Sequence, residues 1–288
     1  MAQHVDVEYH RSGAGPPLVL IHGIGSHWQM WLPVLSRLEA DRDVIALDLP
    51  GFGASPMPPP GTPTGIKSLT DLTAGFLDQL ELERPHVAGN SLGGWIALEL
   101  AKRERVATAT ALSPAGFHNS REAVFERASL AMTVKVARLL SPHADRLSRY
   151  AAIRRLTWSQ IVARPELVPP ADAAAAARAL AGAPWFDETL RALLKQRFTG
   201  GEHIDVPVTV AWGEKDRLLL PRQAPRAARI SGAQLVMLTG CGHVPTYDDP
   251  PQVARVLLDG SRRAAAEQSR RAVADQAATG AAIESGTS

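Results

Sequence analysis

His86-Val87-Ala88-Gly89-Asn90-Ser91-Leu92-Gly93-Gly94 runs from a short apolar stretch, through a serine bracketed by glycines, into a helix-spaced segment. A G-x-S-x-G between a strand and a helix predicts a strained turn that holds a nucleophilic serine at the end of the strand. Small residues are needed on either side, because such a turn leaves no room for a Cβ. The flanking sequence repeats the same alternation. Leu18-Val19-Leu20-Ile21 ends at His22-Gly23, Val44-Ile45-Ala46-Leu47 ends at Asp48-Leu49-Pro50-Gly51, and Val106 to Leu112 precedes Ser113-Pro114. Continuous apolar runs of this length predict strands buried on both faces, hence a parallel sheet covered by helices. Trp31 to Glu39, Leu69 to Leu82 and Leu92 to Lys102 carry the helix-spaced apolar residues between them. The order predicts an α/β fold with a doubly wound, mostly parallel sheet. Val5 to Arg11 is expected to add an antiparallel edge strand.

From His118 to about Glu202 the texture changes. No strand-like run occurs, and Val124 to Leu140, Ala171 to Leu180 and Phe186 to Phe198 read as helices separated by prolines 142, 165, 169, 170 and 184. This stretch holds 13 Lys and Arg against 8 Asp and Glu, so the positive charge of the chain is concentrated here. Strands resume at Val208 to Trp212 and Gln234 to Leu238, and a last amphipathic helix is expected from about Pro251 to Leu258. The expected organisation is a core of residues 1–117 and 203–260 with a helical insert at 118–202. Residues 261–288 have too few large apolar side chains to repay ordering and are expected to form a disordered tail or a loosely attached helix.

Composition narrows the function classes. Hydrophobic residues make up 45% and charged residues 21% of the 288, in the ordinary range for a soluble domain. A net charge of +2 gives no case for nucleic acid. No run approaches the roughly 18 apolar residues of a membrane span. The polar start, Met1-Ala2-Gln3-His4, does not read as a signal peptide, and the single cysteine, Cys241, can form no intrachain disulfide; both lead to an expected cytoplasmic location. The histidines are dispersed and no cysteine cluster exists, so neither a metal site nor a cofactor is expected. The expected partner is a small-molecule substrate.

A serine hydroxyl is a weak nucleophile and requires a base and a group that orients the base. Of nine histidines, His243, in Gly242-His243-Val244-Pro245, alone follows the final strand, on the same carboxyl edge as Ser91. Asp216, in Trp212-Gly213-Glu214-Lys215-Asp216, follows the penultimate strand and is the expected acid; Glu214 reads as a solvated loop residue. The oxyanion that forms on attack needs backbone N–H donors. Leu92, at a helix N-terminus, is one expected donor. Ile24, in His22-Gly23-Ile24-Gly25, is the other, with His22 tying that loop down. Cys241 is expected to fill a tight loop rather than react.

These pieces together resemble the α/β-hydrolase superfamily in its serine-nucleophile branch: His22-Gly23-Ile24-Gly25, Asp48-Leu49-Pro50-Gly51-Phe52-Gly53-Ala54-Ser55, the Ser91 turn, the Asp216 loop and Gly242-His243, over roughly residues 5 to 260. The chain order Ser, Asp, His is that of this fold. The resemblance implies that the insert is a helical cap over the active site. Trp158, Trp185, Phe186 and Met132 are its large apolar residues, and Trp28 follows the oxyanion loop from the other side; these five are the expected substrate contacts. Within the superfamily the look is that of esterases and carbon–carbon bond hydrolases. Asn90 resembles the hydrolases of meta-ring-fission products, which usually carry an aromatic residue where Val244 stands. Epoxide hydrolases and haloalkane dehalogenases use an aspartate in place of Ser91. The expected function is hydrolysis of a carboxylic ester with an apolar acyl or aryl group through an acyl-Ser91. The alternatives are cleavage of a carbon–carbon bond in a diketo acid and, in a different class, a non-catalytic binding protein.

Overall fold

The computed structural model describes residues 6–264. Seven strands form one sheet: β1 (Tyr9–Gly13), β2 (Pro17–Ile21), β3 (Asp43–Leu47), β4 (His86–Asn90), β5 (Thr108–Leu112), β6 (Val208–Gly213) and β7 (Gln234–Leu238), in the order β1-β3-β2-β4-β5-β6-β7. All neighbours are parallel except β1, which pairs antiparallel with β3 in the register Tyr9↔Leu47 to Gly13↔Asp43. The edge strand is therefore antiparallel as expected but lies further along the chain than Val5 to Arg11. Glu8, just before it, exchanges hydrogen bonds with the Asp48 loop instead, its N–H donating to Ser55 Oγ at 2.9 Å.

The helices are α1 (Leu32–Leu38), α2 (Ile66–Gln79), α3 (Leu92–Lys102), α4 (Ser120–Leu140), α5 (Ala144–Leu147), α6 (Ala151–Trp158), α7 (Pro170–Gly182), α8 (Phe186–Leu193) and α9 (Ala224–Ala227), with residues 250–264 forming the described part of α10. Alternate residues of the central strands feed opposite faces. Val19, Ile21, Ile45, Leu47 and Val87 pack with α2 and α3, whereas Leu18, Leu20, Val44, Ala46 and Ala88 pack with α1 and α10. Two-sided burial is why these strands read as continuous apolar runs.

Between β5 and β6 the insert contributes α4 to α8 and no strand. Its first helix starts at Ser120, earlier than apolar spacing suggests, because Asn119 and Glu122 form a capping box: Asn119 Oδ1 accepts from the Arg121 and Glu122 N–H groups at 3.0 Å, and Glu122 Oε2 accepts from the Asn119 N–H at 2.7 Å.

The expected loose tail needs correction where it begins. α10 continues through residue 264, and Ser261 is buried, its Oγ accepting from Arg42 Nε and Nη2 at 3.1 and 2.9 Å. Arg263 reaches Thr209 Oγ1 at 3.3 Å. Docking here rests on hydrogen bonds and on Gly260 lying against Thr110, not on large apolar side chains, so hydrophobicity carried no signal of it. The rest of the expected tail, 265–288, lies outside the described residues.

Candidate active site

The strand order reverses between β2 and β4, which pair from Leu18↔His86 to Ile21↔Gly89. Crevices at the carboxyl ends of such strands are where open α/β sheets bind ligands. Ser91 stands there, at φ 56° and ψ −113°, a conformation that L-residues hold only when the surroundings enforce it. Its N–H donates to Leu112 O at 2.9 Å, and its own carbonyl accepts from Trp95 and Ala115 N–H groups, both at 3.0 Å. A Cβ on Gly93 would lie 2.1 Å from Ile21 O, and one on Gly89 2.2 Å from the Gly93 carbonyl. Only glycine lets β2, β4 and the start of α3 approach this closely.

His243 and Asp216 arrive from the loops after β7 and β6. His243 Nδ1–H donates to Asp216 Oδ2 at 2.8 Å, with both residues buried. Asp216 Oδ1 accepts from the Leu218 and Leu219 N–H groups at 2.9 and 2.8 Å, so both carboxylate oxygens are satisfied. Glu214, by contrast, is exposed and accepts from the Gly240 N–H at 3.1 Å. Among the described residues Ser91 Oγ carries no hydrogen bond; the link to the histidine loop runs through its neighbour. Asn90 Nδ2 donates to His243 O at 2.9 Å and to Leu112 O at 3.1 Å, fastening the Ser91 turn to the loop that holds the base.

The loop after β2 is built by two polar side chains. His22 Nδ1–H donates to Gly23 O at 2.7 Å, while Nε2 accepts from the Leu49 N–H at 2.9 Å. Burial pushes this imidazole down to about 4, so it is neutral and acts as a fixed brace. Asp48 accepts from the Trp28 N–H at 2.6 Å and the Ala54 N–H at 2.7 Å, joining the two loops. The Ile24 N–H has no acceptor among the described residues, and the Leu92 N–H, at the first position of α3, has no intrahelical one. Both lie beside Ser91: Gly23, next to Ile24, would place a Cβ 3.3 Å from Ser91 Cβ.

Of the five apolar residues expected at the site, the structure brings Trp185 and Phe186 to these loops. A Cβ on Gly51 would touch Trp185 at 2.9 Å, and one on Gly25 would touch Phe186 at 2.9 Å. Trp158 packs edge-on to Tyr247, ring centroids 6.2 Å apart, in a cluster that also takes in Val244 beside His243. Trp28 stacks on His10 of the edge strand at 4.7 Å. Met132 is a correction: it is 62% exposed, because α4 turns Val134 and Ala137 inward and leaves Met132 outside. Surface clefts of about 310 and 460 Å³ open around His118 and Arg197, and Ser91 lines neither.

Two buried acids at this site carried no motif. Asp248 accepts from the Gly242 N–H at 2.8 Å and from the Ala163 and Arg164 N–H groups at 2.9 and 2.8 Å, and the Val244 N–H donates to Ile161 O at 2.7 Å. The insert is thereby hydrogen-bonded to the backbone on either side of His243. Glu126, on α4, accepts from Gln223 Nε2 at 2.8 Å and lies 3.5 Å from His118 Nδ1. Burial pushes its carboxyl up to about 7 from an ordinary 4.5. The folded chain then holds a proton there that the unfolded chain has already released, so this group costs stability as pH rises from about 4.5 through 7. Glu126→Gln removes the titration. It is expected to become more stable relative to wild type between pH 5 and pH 8, by up to about 3 kcal/mol. Urea unfolding at the two pH values measures the change; an equal difference at both would show that Glu126 does not titrate in this range.

Comparison with known proteins agrees with this architecture. Residues 18–256 match the model of the alpha/beta hydrolase family. The chain is 31% identical over 198 residues to epoxide hydrolase EphH of Mycobacterium tuberculosis, covering 66% of this chain and 91% of that protein. It is 40% identical over 121 residues to a 2-hydroxymuconate semialdehyde hydrolase of a Pseudomonas species, covering 40% of this chain and 42% of the relative. Among solved structures, a bacterial membrane phospholipase A superposes with a TM-score of 0.71 at 26% identity, over 90% of this chain and 85% of that one. With the family model spanning all but the first and last parts of the chain, and with the sheet order and the Ser91 turn in place, this protein belongs to the alpha/beta hydrolase family.

Proposed function

We propose that the chain is a serine hydrolase of carboxylic esters in which Ser91, His243 and Asp216 form the catalytic triad. The observation that carries this reading is the 2.8 Å His243–Asp216 hydrogen bond at the sheet edge where Ser91 stands in its strained turn. With Nδ1–H committed to Asp216, the neutral ring has Nε2 unprotonated and able to take the Ser91 proton as Oγ bonds to the ester carbonyl carbon. The negative charge that moves to the carbonyl oxygen meets the Ile24 and Leu92 N–H groups, reinforced by the N-terminal dipole of α3. Collapse breaks the carbon–oxygen bond, and the imidazolium returns its proton to the leaving alkoxide. Water, deprotonated by His243, then attacks the acyl-Ser91 ester, and the imidazolium returns that proton to Ser91 Oγ as the carbon–Oγ bond breaks and the acid leaves. This reaction calls for no cofactor.

The insert serves in this reading as a cap. Trp185 and Phe186, against the loops of Gly51 and Gly25, form the apolar wall over the acyl group and exclude water, with Trp158 behind the histidine loop. Trp185→Ala is expected to shift chain-length preference across p-nitrophenyl esters by tenfold or more in kcat/KM, on the order of the ~1.5–3 kcal/mol of one large buried apolar side chain, while changing turnover of the acetate ester little. An unchanged profile would place the acyl pocket elsewhere.

A second reading, cleavage of a carbon–carbon bond in a diketo acid, is favoured by Asn90 beside the nucleophile and by the likeness to the semialdehyde hydrolase. Val244 after His243 speaks for the ester. Although a relative is an epoxide hydrolase, the aspartate nucleophile of that chemistry is replaced here by Ser91. Steady-state rates on the p-nitrophenyl series beside a ring-fission dienoate decide between them. Turnover of the esters with an inert dienoate supports the first reading; the reverse overturns it.

A further inference from the structure

The outer face of α4 is unusual in what it shows to solvent. Its two acids, Glu122 and Glu126, are both buried against the core, Glu122 paired with Arg222 and Arg226 and Glu126 bonded to Gln223. Its four cations, Arg121, Arg127, Lys135 and Arg138, all lie outside. Only Arg138 has an acidic partner among the described residues, Asp187 at 2.9 Å. Interleaved with them are Val124 (69% exposed), Phe125 (44%), Met132 and Leu139 (76%). Arg121, Phe125, Ala128, Met132, Lys135 and Leu139 follow at alternating steps of four and three residues, which keeps them along one line of the helix. Over 21 residues that line is about 30 Å long. The opposite side of α4 packs on α7, so the exposed apolar side chains are not needed for the fold.

We infer that this face is a docking surface for an anionic lipid bilayer. An amphipathic helix with aliphatic and aromatic side chains between single-sign cations lies in the plane of a membrane interface, with its apolar groups below the headgroups and its cations among the phosphates. A second copy of the chain does not fit, since two such faces would bring six unpaired like charges together. Nucleic acid would use the cations but has no place for Val124, Met132 and Leu139. The inference goes beyond the hydrolase reading and does not depend on it.

Flotation of the full chain with vesicles of equimolar phosphatidylglycerol and phosphatidylcholine, against pure phosphatidylcholine, tests it. Wild type is expected to bind the anionic vesicles at least tenfold more tightly. An R127A/K135A double variant is expected to lose about thirtyfold of that affinity, from roughly fivefold per cation near the surface. F125S/M132S/L139S is expected to lose tenfold or more with its charge intact. R37A/R255A, which removes two cations of the core, should bind as wild type, and so should S91A, which separates docking from turnover. Melting temperature confirms that the variants are folded; should the triple variant unfold, the two charge pairs still decide the matter. Equal binding to both vesicle types overturns the inference, as does full binding by R127A/K135A. A mass increase on concentration that R127A/K135A abolishes would assign the face to a second copy instead.

Discussion

Replacing Ser91 with alanine is expected to lower kcat/KM on the best ester by a factor on the order of 10³ to 10⁶ while leaving the fold in place. The loss should fall on chemistry because Ser91 Oγ contributes no hydrogen bond to the folded structure among the described residues, whereas the backbone of Ser91 contributes three. Alanine keeps the Cβ and the same turn, so the melting temperature should move by no more than a few degrees. Initial rates and thermal unfolding on the same preparation check both halves. Residual turnover within tenfold of wild type would remove Ser91 from the mechanism. A collapse in stability would mean that the turn depends on the hydroxyl.

The second large effect separates two acids two residues apart. Asp216→Asn is expected to lower kcat by about 10⁴. An amide at this position can still accept from Leu218 and Leu219 with its oxygen. Its NH₂ then faces His243 Nδ1, which puts the imidazole proton on Nε2, the nitrogen that must accept from Ser91, and no carboxylate remains to stabilise the imidazolium. Glu214→Gln should change kcat less than threefold, since that side chain is exposed and only steadies the turn at Gly240. Parallel measurement of kcat for the two variants tests the assignment; the reverse ranking would move the orienting role to Glu214.

What the sequence made legible follows from how local each signal is. Ser91 and Asp216 lie just past the carboxyl ends of buried apolar strands and His243 follows the apolar but largely exposed edge strand β7, so strand recognition and parallel topology alone carry them to one edge. His22 was legible as a brace for the same reason: it directly follows β2 and needs only Leu49, at the end of the adjacent strand. Asp248 and Glu126 were not, because their partners come from other elements, Ala163 and Arg164 in one case and Gln223 in the other. Met132 was misplaced for a more instructive reason. α4 carries apolar residues on both faces and buries both of its acids, so the phase that apolar spacing assigns to a helix has no single solution there. Past Gly260, Ser261 and Arg263 dock by hydrogen bonds, which composition does not register.

If Ser91 is a nucleophile activated by this geometry, a fluorophosphonate will react with it. The reagent phosphonylates only a serine whose proton is removed and whose developing oxyanion is stabilised, and it requires no knowledge of the substrate. Intact mass should show one adduct on the wild-type chain, peptide mapping should place it on Ser91, and Ser91→Ala and Asp216→Asn should show none or a severely slowed reaction. An unlabelled wild-type chain in a folded preparation, or an adduct on a serine other than Ser91, would mean that Ser91 is not the nucleophile.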